Sequence, residues 1–186
     1  ILGDGSDRLP AVGALAHDLD VRRNSVSWVS DDGLVIDSST GVQVIDNAIS
    51  CGGIGLQVSG STEVNVTGCE ISSDEVGVWI QSCDLIYVTM NRLSKSVISF
   101  VTVSPDEVSG PVVVFRNHVE VATVALVDDG AMAVSWNAAY PEGGNFWEGE
   151  IGSYVPYDSD GDGISDAPLY LDGDSFDAYP LMASPL

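Results

Sequence analysis

Six short segments of this chain repeat one pattern: LDVRRNSV, VQVIDNAI, VNVTGCEI, IYVTMNRL, VVVFRNHV and MAVSWNAA, beginning at residues 19, 42, 64, 86, 112 and 132. The shared template is apolar, any, Val, any, any, Asn, any, apolar. Its Val column holds Val21, Val44, Val66, Val88, Val114 and Val134. Leu19, Val42, Val64, Ile86, Val112 and Met132 form the column before it, and Val26, Ile49, Ile71, Leu93, Val119 and Ala139 close the template. Asn24, Asn47, Cys69, Asn91, Asn117 and Asn137 run between them, separated by steps of 23, 22, 22, 26 and 20 residues.

Alternation of apolar and polar residues gives strands with one buried face. Further strand-like pieces, GLVID, IGLQV, VGVWI and ISFVTV, separate several copies of the template. A repeat of about 22 residues made of short strands and tight corners predicts an all-β fold, a parallel β-helix of about six coils. Each coil pairs with the next at about 4.8 Å, so like residues stack on like. The Val columns then form the core and the Asn column forms an internal amide ladder, which Cys69 interrupts. The long fourth step carries SPDEVSG, expected as an outward loop. The expected organisation is an edge segment at 1–18, coils at 19–140 and an acidic, aromatic-rich capping tail at 141–186.

The coils resemble the right-handed parallel β-helix repeats of the pectin-lyase-like superfamily. The tail, with Gly144, Asn145, Phe146 and Trp147, an Asp/Gly-rich loop, and Tyr179, Pro180 and Leu181, resembles the end of NosD-like proteins. That resemblance implies an envelope or secreted β-helix protein, with an extracellular or cell-surface location. It does not imply an activity, since the superfamily includes enzymes, binders and structural proteins.

The charge is lopsided: 28 acidic against 6 basic residues, a net of -22. This argues against nucleic acid, whose phosphates need a basic face, and against an anionic membrane surface. No run of 18 apolar residues exists, so membrane insertion is not expected. Bound cations, a salty habitat and solubility through self-repulsion are three readings of the acidity.

The stretch DSDGDGISD predicts a calcium loop. Asp158, Asp160 and Asp162 alternate on a glycine-rich turn, the Ile164 carbonyl follows, and Asp166 closes the run, as a hard ion requires. Where a calcium-binding helix–loop–helix places a bidentate Glu there is Leu169, so Asp172, Asp174 or Asp177 would complete the shell. Such an ion is expected to act as a structural staple for the tail.

Catalytic candidates are weak. Glu70, Arg92 and His118 follow the Asn column on three consecutive coils, which serves either acid–base chemistry or a surface salt-bridge ladder. Trp28, Trp79, Trp136 and Tyr87 fall near corners or in outward phases and are open to two readings, a polysaccharide partner or packing against the coils. Cys51, Cys69 and Cys83 lack zinc-site spacing; they read as disulfide-forming thiols or as small half-buried residues. Nor do they cluster with Met or His as soft copper would require. Asn65 with Thr67 forms a glycosylation sequon. Open solenoid edges invite strand addition by a second copy. The expected function is therefore a non-enzymatic, self-assembling structural protein of an envelope, sheath or surface layer. A carbohydrate-binding or carbohydrate-processing module is the alternative.

Overall fold

The computed structural model describes residues 16–103, 111–121, 123–128, 134–149, 151–152, 154–172 and 175–186, with backbone alone at 28–29, 103, 126–128 and 172. The expected outward loop, Met132 and Asp174 lie outside the described residues. The chain winds as three-strand coils. The first is β1 (Asp20–Arg22), β2 (Ser25–Val29) and β3 (Leu34–Asp37), and the second is β4 (Thr40–Ile45), β5 (Ala48–Cys51) and β6 (Ile54–Ser59). The third is β7 (Thr62–Thr67), β8 (Glu70–Ser73) and β9 (Val76–Gln81), and the fourth is β10 (Asp84–Thr89), β11 (Arg92–Ser94) and β12 (Ile98–Val103). A less regular fifth has β13 (Val112–Phe115), β14 (His118–Glu120) and β15 (Val124–Asp128). A last partial coil has only β16 (Val134–Ser135) and β17 (Phe146–Glu148). The regular solenoid thus has slightly fewer turns than six.

Corresponding strands pair in parallel into three sheets, β1-β4-β7-β10-β13-β16, β2-β5-β8-β11-β14-β17 and β3-β6-β9-β12-β15. Register follows the repeat: Val21 pairs Val44, Val44 pairs Val66, Val66 pairs Val88 and Val88 pairs Val114. Val42, Val44, Val64, Ile86, Val88, Val112 and Val114 are fully buried. Stacked β-branched side chains fill the tube because each rests on a near-copy of itself at the interstrand spacing.

The amide ladder runs at one corner. Asn24 donates from its backbone N and its Nδ2 to Asn47 Oδ1 at 2.9 and 3.1 Å. Asn91 donates likewise to Asn117 Oδ1, both at 3.0 Å, and Asn117 to Asn145 Oδ1 at 3.1 and 2.8 Å. Each amide also donates to a strand carbonyl: Asn47 to Val21, Asn91 to Val66 and Asn117 to Val88. The residue before each rung, at Arg23, Asp46, Gly68, Met90 and Arg116, takes the left-handed conformation that turns the corner.

The last coil departs from the expected register. Val134 pairs Val112 rather than Val114, a shift of two residues that carries Trp136 into the core, where it is 1% exposed. Its ring meets Phe100 edge-on at 5.2 Å. The chain then leaves the wall and returns at Asn145, so Asn145, not Asn137, is the next rung. Asn137 bonds the Ala138 carbonyl and the Ala178 amide instead. Trp136 is therefore not an outward aromatic. The coiled wall also extends to Glu148, past the expected boundary at 140, and His17 already bridges Thr40.

Cysteines occupy corner positions, one in each column. Cys69 stands in the Asn column, Cys83 follows Ser39 and Ser61, and Cys51 precedes Ser73 and Ser96. Their sulfurs lie near carbonyl oxygens: Cys69 to Val44 and Thr67, Cys83 to Gln81, and Cys51 to Ile54. All three are free, buried thiols, so no disulfide joins them. Burial pushes Cys51 up to about 11 and raises the other two thiols.

Removing a rung leaves several buried partners unmet. Asn117→Ala is expected to cost at least about 3 kcal/mol, and Asn137→Ala about 1 kcal/mol or less. Urea unfolding of the two variants checks this; equal losses would contradict the rung assignment.

Candidate functional site

The tail closes the C-terminal end of the tube, and its anchor is a buried carboxylate. β18 (Leu169–Asp172) and β19 (Ser175–Asp177) form an antiparallel pair. Asp177, 0% exposed, accepts from the Asn145 backbone N at 2.7 Å, Trp147 Nε1 at 2.9 Å and the Tyr179 backbone N at 3.1 Å. It is the last acceptor of the ladder. An acceptor-only group fits the place, because all three groups aimed at it donate. A Cβ at Gly144 would overlap the Asp177 carboxylate, so glycine there lets the tail dock. Gly144, Asn145 and Trp147 of the tail motif are thus one docking device. Asp177 is committed to this anchor, which removes it from the expected calcium shell.

The acidic loop preceding it is self-organised. Asp158 accepts from Gly161 N at 2.7 Å and from Gly163 N at 3.0 Å, and these bonds hold its carboxyl below the ordinary value. Asp160 accepts from Asp162 N and Asp162 from Ile164 N. Carboxylate oxygens of Asp158, Asp160 and Asp162 lie within 4.8 Å of one another. Asp166 turns back to the Ser159 amide and hydroxyl at 2.9 and 2.5 Å. Ile164 bridges Leu181, which ties the loop to the chain end.

On the outer face of the second sheet, Arg92 pairs in register with Glu70 on one side and His118 on the other. The three stack on consecutive coils as expected, but their partners lie elsewhere. Arg92 Nη2 reaches Glu120 Oε1 at 2.7 Å, and this bond raises the guanidinium pKa. His118 is 5% exposed; its Nε2 lies 2.6 Å from Glu148 Oε2 and its Nδ1 2.9 Å from Ser184 Oγ. Glu120, Glu148 and Ser184 escaped the sequence reading. The alternation of His118 with Glu120, matched by Phe146 with Glu148, is the signal that could have found them.

The first sheet carries a shallow groove lined by Asp18, Asp20, Gln43, Glu63, Asn65 and Tyr87. Gln43, Asn65 and Tyr87 stack in register, and Tyr87 is 40% exposed. Asn65, the sequon residue, is half-buried on the outward side of β7.

Stacked parallel coils, a corner amide ladder and a docked tail define a parallel β-helix protein of the NosD-like kind. Residues 14–152 match the model of the family described as "Periplasmic copper-binding protein (NosD)", and the chain belongs to that family. The family is described as periplasmic, which is compatible with the expected envelope setting. No curated protein and no solved structure matches the chain.

Burial raises the Asp177 carboxyl to about 6, against the three donors that favour its charged form. From about pH 4 to about pH 6 the folded chain keeps a proton that the unfolded chain has released. Asp177 therefore lowers stability as pH rises through that window, by about 3 kcal/mol at most, and is level above it. Subtracting the stability–pH curve of Asp177→Asn from that of the native protein isolates this slope; parallel curves would contradict it.

Proposed function

We propose that this chain is a non-enzymatic structural β-helix of the cell envelope, a stiff unit of a sheath, surface layer or similar coat. The observation that carries this reading is the commitment of its chemically capable groups to holding coils and tail together. Arg92 is tied to Glu120, His118 to Glu148 and Ser184, and Asp177 to Asn145, Trp147 and Tyr179. Head-to-tail assembly through both open edges of the β-helix is not expected. The docked tail covers the C-terminal edge on which a second copy would have to stack, and stacking needs both edges. Negative-stain microscopy at rising protein concentration tests the reading. Ordered filaments, rings or sheets support it, and discrete monomers throughout count against it.

The groove beside Tyr87 favours a second reading, a carbohydrate-binding module. Planar amides and carboxylates pair with sugar hydroxyls, and an aromatic face packs on sugar C–H groups. Asp18, Asp20 and Glu63 would repel uronates, so the partner class is a neutral or amino-bearing glycan. Binding on a glycan array that Tyr87→Ala abolishes would favour this reading, and a reducing-sugar assay would expose any cleavage.

Calcium in the loop of Asp158, Asp160, Asp162, the Ile164 carbonyl and Asp166 is proposed as a staple for the tail. At a hundred times its dissociation constant, calcium should raise the melting temperature by about 5–10 °C, and Asp160→Asn should remove the rise. An unchanged melting curve would rule the staple out.

The family is described as copper-binding. The three thiols stand in three separate corner columns and have raised pKa values, which suits no shared cuprous site. Among the described residues, the histidine-containing metal-capable group is His118 with Glu120 and Glu148, whose nitrogen and oxygen donors suit a divalent ion.

A further inference from the structure

Glu120 and Glu148 pair directly across adjacent strands β14 and β17, and like charges placed so repel. His118, two residues before Glu120 on the same face, stands beside them. One of its ring nitrogens, one Glu120 oxygen and one Glu148 oxygen all lie within 4.8 Å of one another, and Nε2 is the nitrogen next to Glu148. The imidazole is fixed in place: 5% exposed, edge-on to Phe146 at 5.0 Å and 89°, with Nδ1 at 2.9 Å from Ser184 Oγ. Ser184 Oγ also accepts from the Leu186 amide at 3.3 Å.

With a proton on Nδ1 donated to Ser184, the Nε2 lone pair would face a carboxylate oxygen at 2.6 Å. A bound cation would replace the proton that otherwise bridges the two atoms, the pair opening from hydrogen-bond distance to admit it. The second ring nitrogen of a metal-binding histidine commonly makes such a bond, which sets tautomer and aim. Arg92 holds Glu120 through Oε1, leaving Oε2 free to turn inward, as outer hydrogen bonds orient ligating carboxylates.

We propose that His118 Nε2, Glu120 and Glu148 form a binding site for a divalent transition-metal ion of the Zn2+ or Cu2+ class, with water completing the shell. One imidazole and two carboxylates match such ions. Ca2+ prefers all-oxygen shells of six to eight ligands, and Cu+ prefers sulfur. The ion would fasten the fifth coil to the last one, at the point where Ser184 brings the chain end alongside. This site is separate from the acidic loop and does not depend on the structural role proposed above.

The test is calorimetric titration of chelator-treated full chain with Zn2+, beside Cu2+ paramagnetic resonance. Expected are one tight Zn2+ equivalent, at least tenfold weaker binding in Glu148→Gln, and no change in Asp160→Asn or His17→Gln. The Cu2+ spectrum should show coupling to one imidazole nitrogen, lost in His118→Gln. Glu148 is mostly exposed, so Glu148→Gln serves even where His118→Gln fails to fold. Zn2+ binding that Glu148→Gln leaves unchanged, binding lost in Asp160→Asn, an oxygen-only Cu2+ spectrum, or no Zn2+ uptake would each overturn the site. The last result would make the His118–Glu148 contact a plain proton-bridged pair.

Discussion

A buried side-chain amide that accepts from one coil and donates to the next is the interaction on which this solenoid depends. Parallel strands three residues long, such as β11 and β14, make few ladder bonds of their own. Their corners bury backbone groups that must be satisfied. Asn91, Asn117 and Asn145 meet that need with one side-chain type. Each accepts at Oδ1 from the rung before, and each spends its remaining amide hydrogen on a strand carbonyl. Left-handed residues directly ahead of Asn91 and Asn117, Met90 and Arg116, set the bend that keeps these rungs aligned. Cys69 is the weak rung, since its sulfur is a poor substitute for amide oxygen; Asn47 reaches it only at 3.9 Å.

A column built on donation must end on an acceptor. Asp177 supplies it from the tail, which explains how a strongly acidic segment docks on a coil that already carries Glu148. Trp147 serves both sides of this junction, packing near Phe100 and Trp136 while its Nε1 reaches Asp177. The outer face at the same end brings His118, Glu120, Glu148 and Ser184 together. Ladder end, aromatic plug and outer cluster therefore gather at the C-terminal end of the tube, where stacking alone runs out of partners.

The regular coils were legible in the sequence because inward residues recur at a nearly constant step, and a Val stacked on a Val leaves a plain imprint. The last coil was not. MAVSWNAA fits the template, yet Trp136 is too large to leave outside a core that Phe100 opens to it, and the chain makes a detour before Asn145. Spacing counts residues, whereas the ladder counts closed coils. The detour also hid Glu148 from Glu120, since 28 residues rather than about 22 separate them. Of the cysteines only Cys69 was legible as a rung, through Asn47 and Asn91; the columns of Cys83 with Ser39 and Ser61, and of Cys51 with Ser73 and Ser96, emerge from the pairing of the strands. The tail motif was visible as a pattern, but its reason, room at Gly144 for a carboxylate, needs three dimensions.

Native-state hydrogen exchange on the backbone amides of Cys69, Asn91, Asn117 and Asn145, in the native protein and in Asp177→Ala, tests the ladder most directly. All four are predicted to exchange slowly in the native chain. In the variant Asn145 should become fast, Asn117 should lose part of its protection, and Cys69 should keep its own. Exchange at Asn145 that is indifferent to Asp177, or fast exchange at Asn91 and Asn117 in the native chain, would contradict the account.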